Sequence, residues 1–396
     1  MKHKKIAILV HGLYGGGMER VAAQLSIMLS DAGCDTYLIV GGFNKRETYQ
    51  YKGKIITIPF NLNRQQSMGR AFAVMLYNAY LLRKCKIANQ FDVTISFAPE
   101  MNMANMFSGT RDKKIVTIHS CLSVRNDLKG LYYKRNLYKM YNHAYKVIAV
   151  SKWCREDLID HYGIKRDKVK VIYNPVQNSS RKYISTAKEN IVLVVGRLQD
   201  IKQQWHIIRA FKTVLAKVPD AKLVIVGQGE NRSYLGRLAK DMDIDDKIFF
   251  KGFVKKIDML YQQAKCVVFS SASEAFPCSV IEAMSYGVPV AAADCPGGMR
   301  EILAGDLKLS HQVHEVVVVK GGVLTPRLDG IKYDGAKALT RAERKLAEGI
   351  IYLLQNETDY ANLVKNCFEI SQLFHEKIMK RKWMLLIASV IKGIGR

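Results

Sequence analysis

The chain has 396 residues, of which 48% are hydrophobic and 24% are charged. This composition excludes an intrinsically disordered protein, and the length predicts two domains. Lys and Arg number 61 against 35 Asp and Glu, a formal net charge of +26 that predicts an anionic partner: nucleic acid, a membrane surface or a phosphorylated substrate.

No apolar stretch approaches the roughly 20 residues that span a bilayer. The apolar run at 6–10 is too short for a signal peptide, so we expect a protein that is not secreted. The eight cysteines are scattered without a Cys-x-x-Cys pair, which is typical of reduced thiols in a cytosolic protein. We therefore expect neither a disulfide framework nor a structural zinc site.

Short apolar runs alternate with longer amphipathic segments along the chain. Such runs are typical of strands buried on both faces of a parallel sheet, with helices between them. The pattern predicts an α/β fold with two domains, each built on a doubly wound parallel sheet. The predicted strands are 6–10, 36–40, 55–58, 93–97, 115–118, 147–150 and 169–172, then 191–195, 223–226, 248–250, 266–269 and 288–292.

The break between the two series follows Asn174-Pro175, where a polar segment has the composition of a linker. The predicted organisation is a domain at 1–176, a linker at 177–190 and a second domain at 191–370, before a last segment at 371–396. Two such domains facing each other would create a cleft, the usual place for a ligand.

A glycine-rich loop follows the first strand. Gly15, Gly16 and Gly17 lie between that strand and a helical pattern, so their amides are able to approach an anion at a helix N-terminus. The loop matches neither Walker A nor Gly-x-Gly-x-x-Gly. A tight turn without a ligand is the alternative.

Two further loops carry charged residues. Arg197 and Lys202 come just after the strand at 191–195, where they are placed to clamp a diphosphate, although a solvated basic loop would read the same way. After the strand at 266–269, Glu274 precedes and Glu282 follows a helix start at Pro277. Amides around Ser279 and Val280 would face a phosphate, while the two carboxylates would accept hydrogen bonds from hydroxyl groups.

The segment from Glu274 to Glu282, with seven residues between the glutamates, resembles the signature of glycosyltransferase family 4. The resemblance covers nearly the whole chain, since the glycine loop, 150–151, 171–175, 196–202 and 296–302 match in type and order. It implies the GT-B fold, an N-terminal domain for the acceptor and a C-terminal one for a nucleotide sugar. It also implies a last helix, at 371–396, that returns to the N-terminal domain.

The resemblance further implies a role for each matching residue. Arg197 and Lys202 would hold the donor diphosphate, and Glu282 would bind the ribose. Glu274 and His119 would be the catalytic residues, on hydroxyls of the transferred sugar and beside the reacting sugar respectively. The other donor contacts would come from Gly15, Gly16, Phe253, Val254, Phe276, Ser279 and Val280.

Two features depart from the family pattern. Ala275 stands where the family commonly has glycine, and residues 303–325 contain a polar, then β-rich insert. His311 and His314 in this insert lack the carboxylate or cysteine partners of a metal site, so we expect a surface strand there and no metal.

Residues 125–146 hold six basic residues, one acidic residue and five tyrosines. Basic faces with aromatic residues suit anionic lipid and would also suit RNA. Without an RNA-binding signature we expect a membrane or acceptor surface and no nucleic acid, with a solvated surface as the alternative. Another basic amphipathic helix ends at 83–86. The expected contacts in 125–146 are Arg125, Lys134, Arg135 and Lys139.

The expected activity is that of a retaining, metal-independent glycosyltransferase of the hexosyltransferase type. The donor would be a nucleotide sugar, with UDP as the default, and the acceptor a saccharide or lipid-linked saccharide. No cofactor is expected. The enzyme would be cytoplasmic, peripheral on the inner face of the bacterial membrane, and would build a polysaccharide such as lipopolysaccharide or capsule. The alternatives are an inverting transferase with His11 as base, a nucleotide-sugar epimerase, and a basic protein that binds nucleic acid or lipid.

Overall fold

The computed structural model describes residues 3–14, 16–41, 49–61, 68–124, 135–176, 189–305 and 312–393. The chain divides into two compact units. Unit 1 comprises Met1–Pro175 and Glu376–Arg396, and unit 2 comprises Val176–His375. From the sequence, the corresponding changes are expected after residues 176 and 370. The linker expected at 177–190 lies outside the described residues except for its last two positions.

Unit 1 is built on a parallel sheet with the strand order β3-β2-β1-β4-β5-β6-β7. The order reverses between β1 and β4, and ligands of such sheets bind where the strands end at this reversal. In the described part of unit 1, five α-helices lie between the strands. The strands are Lys5–Val10 (β1), Asp35–Val40 (β2), Lys54–Thr57 (β3), Val93–Phe97 (β4), Lys113–Ile118 (β5), Lys146–Ala149 (β6) and Val169–Val171 (β7). The helices are Gly17–Asp31 (α1), Met68–Asn89 (α2), Pro99–Phe107 (α3), Arg135–Tyr138 (α4) and Lys152–Tyr162 (α5).

Unit 2 repeats this plan with the strand order β10-β9-β8-β11-β12-β14-β13, in which only β13 is antiparallel to its neighbour. Its strands are Ile191–Val195 (β8), Lys222–Val226 (β9), Ile248–Gly252 (β10), Cys266–Phe269 (β11), Val290–Ala293 (β12), Val317–Val319 (β13) and Gly322–Thr325 (β14). Its helices are Gln204–Lys217 (α6), Arg232–Asp241 (α7), Asp258–Gln263 (α8), Cys278–Met284 (α9), Met299–Ala304 (α10), Arg341–Gln355 (α11) and Glu357–Leu373 (α12).

The α/β prediction is confirmed, and every predicted strand is present with ends that differ by no more than two residues. The insert at 303–325 is only partly as expected. Its β13 lies at the sheet edge, but β14 pairs in parallel with β12 and is fully buried. This strand is hard to predict from sequence, because β14 has only four residues and begins with glycine.

The last helix, Glu376–Lys392 (α13), packs in unit 1. Its Met379, Trp383 and Ile387 are buried in the same core cluster as residues of β1. The ammonium of Lys113 donates to the carbonyls of Val390 and Ile391 at 2.5 and 3.1 Å, which satisfies acceptors in the last turn of the helix. The C-terminal segment is therefore a structural part of unit 1.

A buried charged cluster joins α6 to α11 in unit 2. Glu343 accepts hydrogen bonds from Arg209 Nε at 2.7 Å and lies 2.8 Å from His206 Nδ1. It also accepts from the amide of Thr340, whose hydroxyl accepts from the Glu343 amide, as in a capping box. Burial alone would raise the pKa of Glu343, but the hydrogen bonds from His206, Arg209 and Thr340 lower it to about 2.

We predict that Glu343→Gln lowers the free energy of unfolding of unit 2 by about 3 kcal/mol, because the Arg209 charge stays buried without its counter-ion. Urea denaturation measures this change, with the exposed Glu348→Gln on the same helix as the matched control. The folded-state pKa lies below the ordinary value of 4.5. The contribution of the carboxylate is therefore complete above 4.5 and is lost as the pH falls through about 2. Equal urea midpoints for the two variants at neutral pH would contradict this account.

Candidate functional site

The loop after β8 carries both cationic candidates and is packed directly on the loop after β9. The amides of Gly196 and Leu198 donate to the carbonyls of Val226 and Gln228 at 3.0 and 2.9 Å. Gly227 has a φ of +145°, and a Cβ there would lie 1.9 Å from the Gly196 carbonyl oxygen. Only glycine allows this approach, so the path of the loop is fixed by backbone packing.

The end of the same loop is tied to β11. A short 3-10 turn, Asp200–Lys202, ends at Gln203, which adopts the left-handed conformation with a φ of +50°. The Ser270 hydroxyl is within hydrogen-bonding distance of the carbonyls of Lys202 and Gln203, at 2.8 and 2.9 Å. These contacts hold the Lys202 backbone beside the end of β11.

Lys202 and Glu274 are in direct contact. The ammonium of Lys202 lies 2.5 Å from Glu274 Oε1, and the Ser271 hydroxyl donates to the same oxygen at 2.6 Å. The Glu274 backbone pairs with the loop after β12, where its amide donates to the Pro296 carbonyl at 3.0 Å. Glu274 is 9% exposed. The structure therefore brings together a lysine and a glutamate that lie 72 positions apart in the sequence, and it adds Ser271, which the sequence analysis missed.

Arg197 lies in the same loop, and its side chain is exposed. Its guanidinium forms no ion pair with any residue in the described ranges. Its carbonyl accepts from Gln204 Nε2 at 2.9 Å, which fixes the backbone but leaves the side chain to solvent. An exposed guanidinium a few residues from a half-buried ammonium is placed to bind an anion.

The loop after β8 that carries Arg197 and Lys202, which we name the cationic loop, is supported by a second ion pair. Lys332 Nζ lies 2.7 Å from Asp200 Oδ1, and Asn231 Nδ2 donates to the same oxygen at 2.9 Å. The hydrogen bonds from Lys332 and Asn231 hold the pKa of Asp200 below its usual range. This aspartate is part of the turn that ends at Lys202, so its partners position the loop.

The loop after β12, whose Pro296 carbonyl accepts from the Glu274 amide, also carries an acidic residue. Asp294 is buried and forms a two-point ion pair with Arg300, and it also accepts from the amide of Val313 at 2.9 Å. Burial raises the pKa of the Cys295 thiol, and the charges of Glu274 and Asp294 add to this rise. Cys295 is thus a protonated thiol in the wall of the site.

Helix α9 places the remaining donor candidates differently from what was expected. The amide of Val280 donates to the Pro277 carbonyl at 3.1 Å, within the first turn of the helix. Its role in donor binding stays a prediction. Phe276 is buried edge-to-face on Phe374 with ring centroids 5.4 Å apart, so its side chain belongs to the core. Ser279 and Glu282 are half-buried on α9.

Phe253 and Val254 lie in the loop after β10. Phe253 is 73% exposed and Val254 is half-buried. The backbone enters this loop through Gly252, whose φ of +64° favours glycine. The exposed ring of Phe253 beside this turn offers a flat apolar surface to a ligand.

In unit 1, His119 follows β5 and has a defined tautomer. Its Nε2 lies 3.1 Å from Thr117 Oγ1, whose own proton is donated to the Ser96 carbonyl at 2.8 Å. Nε2 must therefore carry the proton, and Nδ1 is the acceptor. Nδ1 is buried and has no hydrogen-bond partner among the described residues. Burial lowers the pKa of His119 to about 3, so the ring is neutral at physiological pH.

A second histidine, His11, follows β1. His11 Nε2 lies 3.3 Å from Oε2 of the buried Glu100, at the start of α3. The chain enters this helix through Ala98, whose φ of +72° is a strained value for a residue with a Cβ. His11, the segment Ala98–Glu100 and His119 all follow neighbouring strands of the sheet, β1, β4 and β5.

The remaining candidates of both units include exposed residues, buried residues and residues outside the described ranges. Gly16 is the N-cap of α1, and a Cβ there would lie 2.0 Å from Glu19 Oε2, so a carboxylate already faces this glycine. Arg135 and Lys139 are exposed. In the same segment Tyr138 and Tyr141 are fully buried with ring centroids 5.5 Å apart, so the interpretation of these two tyrosines as interfacial is wrong. Gly15, Arg125, Lys134 and His311 lie outside the described residues, and His314 is exposed.

Both units match models of glycosyltransferase families. Residues 15–179 match the family model described as "Glycosyltransferase Family 4", and residues 176–308 match "Glycosyl transferases group 1". An uncharacterized glycosyltransferase of Methanocaldococcus jannaschii is 30% identical over 77% of this chain and 79% of its own length. A relative from Campylobacter jejuni is 23% identical over 98% of this chain and 99% of its own. Its name is GalNAc-α-(1→4)-GalNAc-α-(1→3)-diNAcBac-PP-undecaprenol α-1,4-N-acetyl-D-galactosaminyltransferase.

Solved structures show the same fold. Sucrose-phosphate synthase from Thermosynechococcus elongatus superposes with a TM-score of 0.76 at 18% identity, covering 99% of this chain and all of that one. Anabaena HepE, solved with UDP and glucose, superposes with a TM-score of 0.73 at 20% identity, covering 98% of this chain and all of that one. The expectation of a two-domain GT-B fold is confirmed.

We predict that the His119 ring stays neutral, with the proton on Nε2, from pH 8 down to about 4, because burial holds its pKa near 3. Nitrogen-15 NMR of histidine-labelled protein measures this, and His119→Gln assigns the signal. A titration of this ring with a midpoint near 6.5, the ordinary histidine value, would contradict the described burial.

Proposed function

Because the chain belongs to glycosyltransferase family 4, we propose that it is a retaining transferase that moves a sugar from a nucleotide sugar to a saccharide or lipid-linked saccharide. The contact of Lys202 with Glu274, beside the exposed Arg197, carries the proposal. It joins a cation suited to a diphosphate with a carboxylate suited to sugar hydroxyls. A nucleotide sugar offers both groups at adjacent positions.

The cationic side chains act on the leaving group. Negative charge grows on the diphosphate oxygen as its bond to the anomeric carbon breaks, and Arg197 and Lys202 stabilise this charge. Fixed positive groups in a partly desolvated site need no reorganisation during the step. The proposal assigns this role to the two side chains and to no metal ion.

Glu274 orients the sugar. Its Oε1 accepts from Lys202 and Ser271, so its remaining lone pairs are directed toward hydroxyls of the transferred sugar. We assign His119 to another hydroxyl of the reacting sugar, which would donate to the unpaired Nδ1. A buried acceptor without a partner is costly, so a hydroxyl there offsets part of that cost.

The transfer itself is a substitution at the anomeric carbon. The acceptor oxygen forms its bond on the same face from which the diphosphate leaves, and the hydroxyl proton passes to the leaving phosphate oxygen. Donor configuration is thereby retained. We leave Glu282 as the residue for the nucleotide ribose.

The donor and the acceptor are proposed from similarity. UDP is favoured because HepE was solved with UDP and glucose. A lipid-linked acceptor is favoured because the name of the Campylobacter jejuni relative specifies a saccharide on undecaprenol diphosphate. We accordingly propose a role in cell-surface polysaccharide or glycolipid synthesis, peripheral to the inner face of the membrane. Among the described residues no helix is long and apolar enough to cross a membrane.

One observation favours a second candidate. His11 Nε2 lies 3.3 Å from the buried Glu100 carboxylate, and a histidine near a carboxylate is a candidate for the general base that an inverting transferase requires. Proton NMR of the product decides between them. An anomeric coupling constant that matches the donor supports retention, and the opposite configuration would support inversion with His11 as base.

Donor identity is tested by calorimetric titration with uridine, guanosine, adenosine and cytidine diphosphates. We expect uridine diphosphate to bind most tightly and Lys202→Ala to weaken it. Equal or absent binding of all four nucleotides would contradict the proposed donor class.

We predict that Arg197→Ala and Lys202→Ala each lower kcat by about 10²–10³-fold, the cost of losing one preorganised charge contact in a transition state. The fold should persist, since Arg197 is exposed and Lys202 lies in a loop. Lys240→Ala, an exposed lysine on α7, is the matched control. Because Lys202 and Glu274 share a contact, Lys202→Met combined with Glu274→Gln should cost less than the sum of the two. Near-normal kcat for either alanine variant would remove that residue from the site.

A further inference from the structure

A segment without helix or strand, residues 326–339, runs from β14 toward the N-cap of α11, and we name it the strap. Its last part is held by Arg209 on α6, whose guanidinium donates to the Lys337 carbonyl at 3.0 Å. The Tyr234 hydroxyl on α7 donates to the Tyr333 carbonyl at 3.2 Å. The strap is therefore fastened to two helices of unit 2, although it has no regular structure.

The middle of the strap lies on the start of α6. Gly330 has a φ of +77°, and a Cβ there would lie 2.6 Å from Gln203 Nε2, so the strap backbone contacts this side chain directly. Gln203 is 8% exposed, and its Oε1 has no hydrogen-bond partner among the described residues. It is also the residue in left-handed conformation that follows Lys202, so the strap touches the end of the cationic loop.

Lys332 connects the strap with the cationic loop a second time. Its ammonium lies 2.7 Å from Asp200 Oδ1 and donates to Asn231 Oδ1 at 3.1 Å. The Asn231 amide donates to the Leu198 carbonyl at 3.0 Å. One partner of Lys332 thus belongs to the cationic loop, and the other is bound to that loop through its backbone.

The surroundings of the Lys332 ammonium restrict its position. The Asp200 side chain is 71% exposed, and an ion pair with so exposed a carboxylate contributes little when both side chains are flexible. Here the ring centroids of Trp205 and Tyr234 lie 5.1 and 5.4 Å from the ammonium, within the range of cation–π contacts. Trp205 is buried and Tyr234 is half-buried, so Asp200 meets a cation that is already held in place.

We propose that Lys332 is a positioning residue for the donor site: it holds Asp200, and through Asp200 the turn that presents Lys202 to the donor diphosphate. The proposal rests on the proposed function for the identity of that ligand. Loss of Lys332 lowers the fraction of molecules whose cationic loop is competent to bind, which weakens donor affinity and leaves turnover at saturation nearly unchanged. Because such coupling is reciprocal, the donor in turn stabilises the docked strap.

Calorimetric titration with uridine diphosphate tests this on Lys332→Met, Lys332→Arg and Lys337→Met. We expect Lys332→Met to raise the Kd by at least about fivefold, the low end of coupling between linked sites. Lys332→Arg keeps the charge and should recover most of the affinity. Lys337→Met is the matched control, because Lys337 is an exposed lysine of the strap with no ion pair to any described residue. Steady-state kinetics should place the loss in KM for the donor and not in kcat.

Gly330→Ala tests the strap without changing a charge. A Cβ at Gly330 has no room beside Gln203, and the φ of +77° disfavours alanine, so we expect a displaced strap and weaker binding of uridine diphosphate. Asp200→Asn should also weaken binding, and its combination with Lys332→Met should cost less than the sum of the two, because both act through one contact.

Hydrogen exchange measured by mass spectrometry reports on the cationic loop independently of activity. The amides of Lys202 and Gln203 donate to the carbonyls of Gln199 and Asp200 at 2.9 and 3.3 Å. They should exchange faster in Lys332→Met, and uridine diphosphate should slow exchange in the strap of the wild type.

Unchanged nucleotide affinity in both Lys332→Met and Gly330→Ala, an equal loss in Lys337→Met, or a loss confined to kcat would each overturn the proposal. A wild type that binds no uridine diphosphate would contradict the proposed donor instead. The exchange of the loop amides in Lys332→Met then decides the positioning role alone: faster exchange supports it, and unchanged exchange overturns it.

Discussion

The contact between Lys202 and Glu274 is the interaction on which the candidate site depends. It connects the loop after β8 with the loop after β11, two strands that are neighbours in the sheet. A carboxylate that is nearly buried would be costly without a partner, and the ammonium with the Ser271 hydroxyl supplies one. The pair therefore fixes the position of the Glu274 carboxylate at the end of β11.

Backbone packing prepares that contact. Gly227 lets the loop after β9 touch the cationic loop, and Ser270 holds the carbonyls at its end, so Lys202 reaches Glu274 from a fixed backbone. The loop after β12 in turn binds the Glu274 backbone. Consecutive loops at the carboxyl ends of the strands thus support one another, as the doubly wound plan requires of a ligand site. These contacts add little free-energy cost, because each uses a backbone N–H or C=O group that must be hydrogen-bonded in any case.

The sequence predicted the parts that local patterns specify. Continuous apolar runs indicated the strands, and residue types after strand ends indicated Arg197, Lys202 and Glu274. His119 was identified only through the family resemblance. Contacts across loops were not predictable: nothing in the local sequence pairs Lys202 with Glu274, or fixes the tautomer of His119 through Thr117. The burial of some aromatic residues was also not predicted, because the same residue types occur in cores and at interfaces. Tyr138 and Tyr141 read as interfacial but are core residues, and Phe276 lies within the signature yet packs inward on Phe374.

Helix α2 illustrates the same limit from the opposite side. Its sequence places apolar residues all around the helix, a pattern that on its own suggests burial on every face. Unit 1 covers only one face, because Ala71, Met75, Ala79 and Leu82 suffice to fill the contact. Five large apolar or aromatic side chains are left exposed on the outer face: Phe72, Leu76, Tyr77, Tyr80 and Ile87. Which face of such a helix is buried depends on how the rest of the unit packs against it, so the sequence of the helix alone does not specify that face.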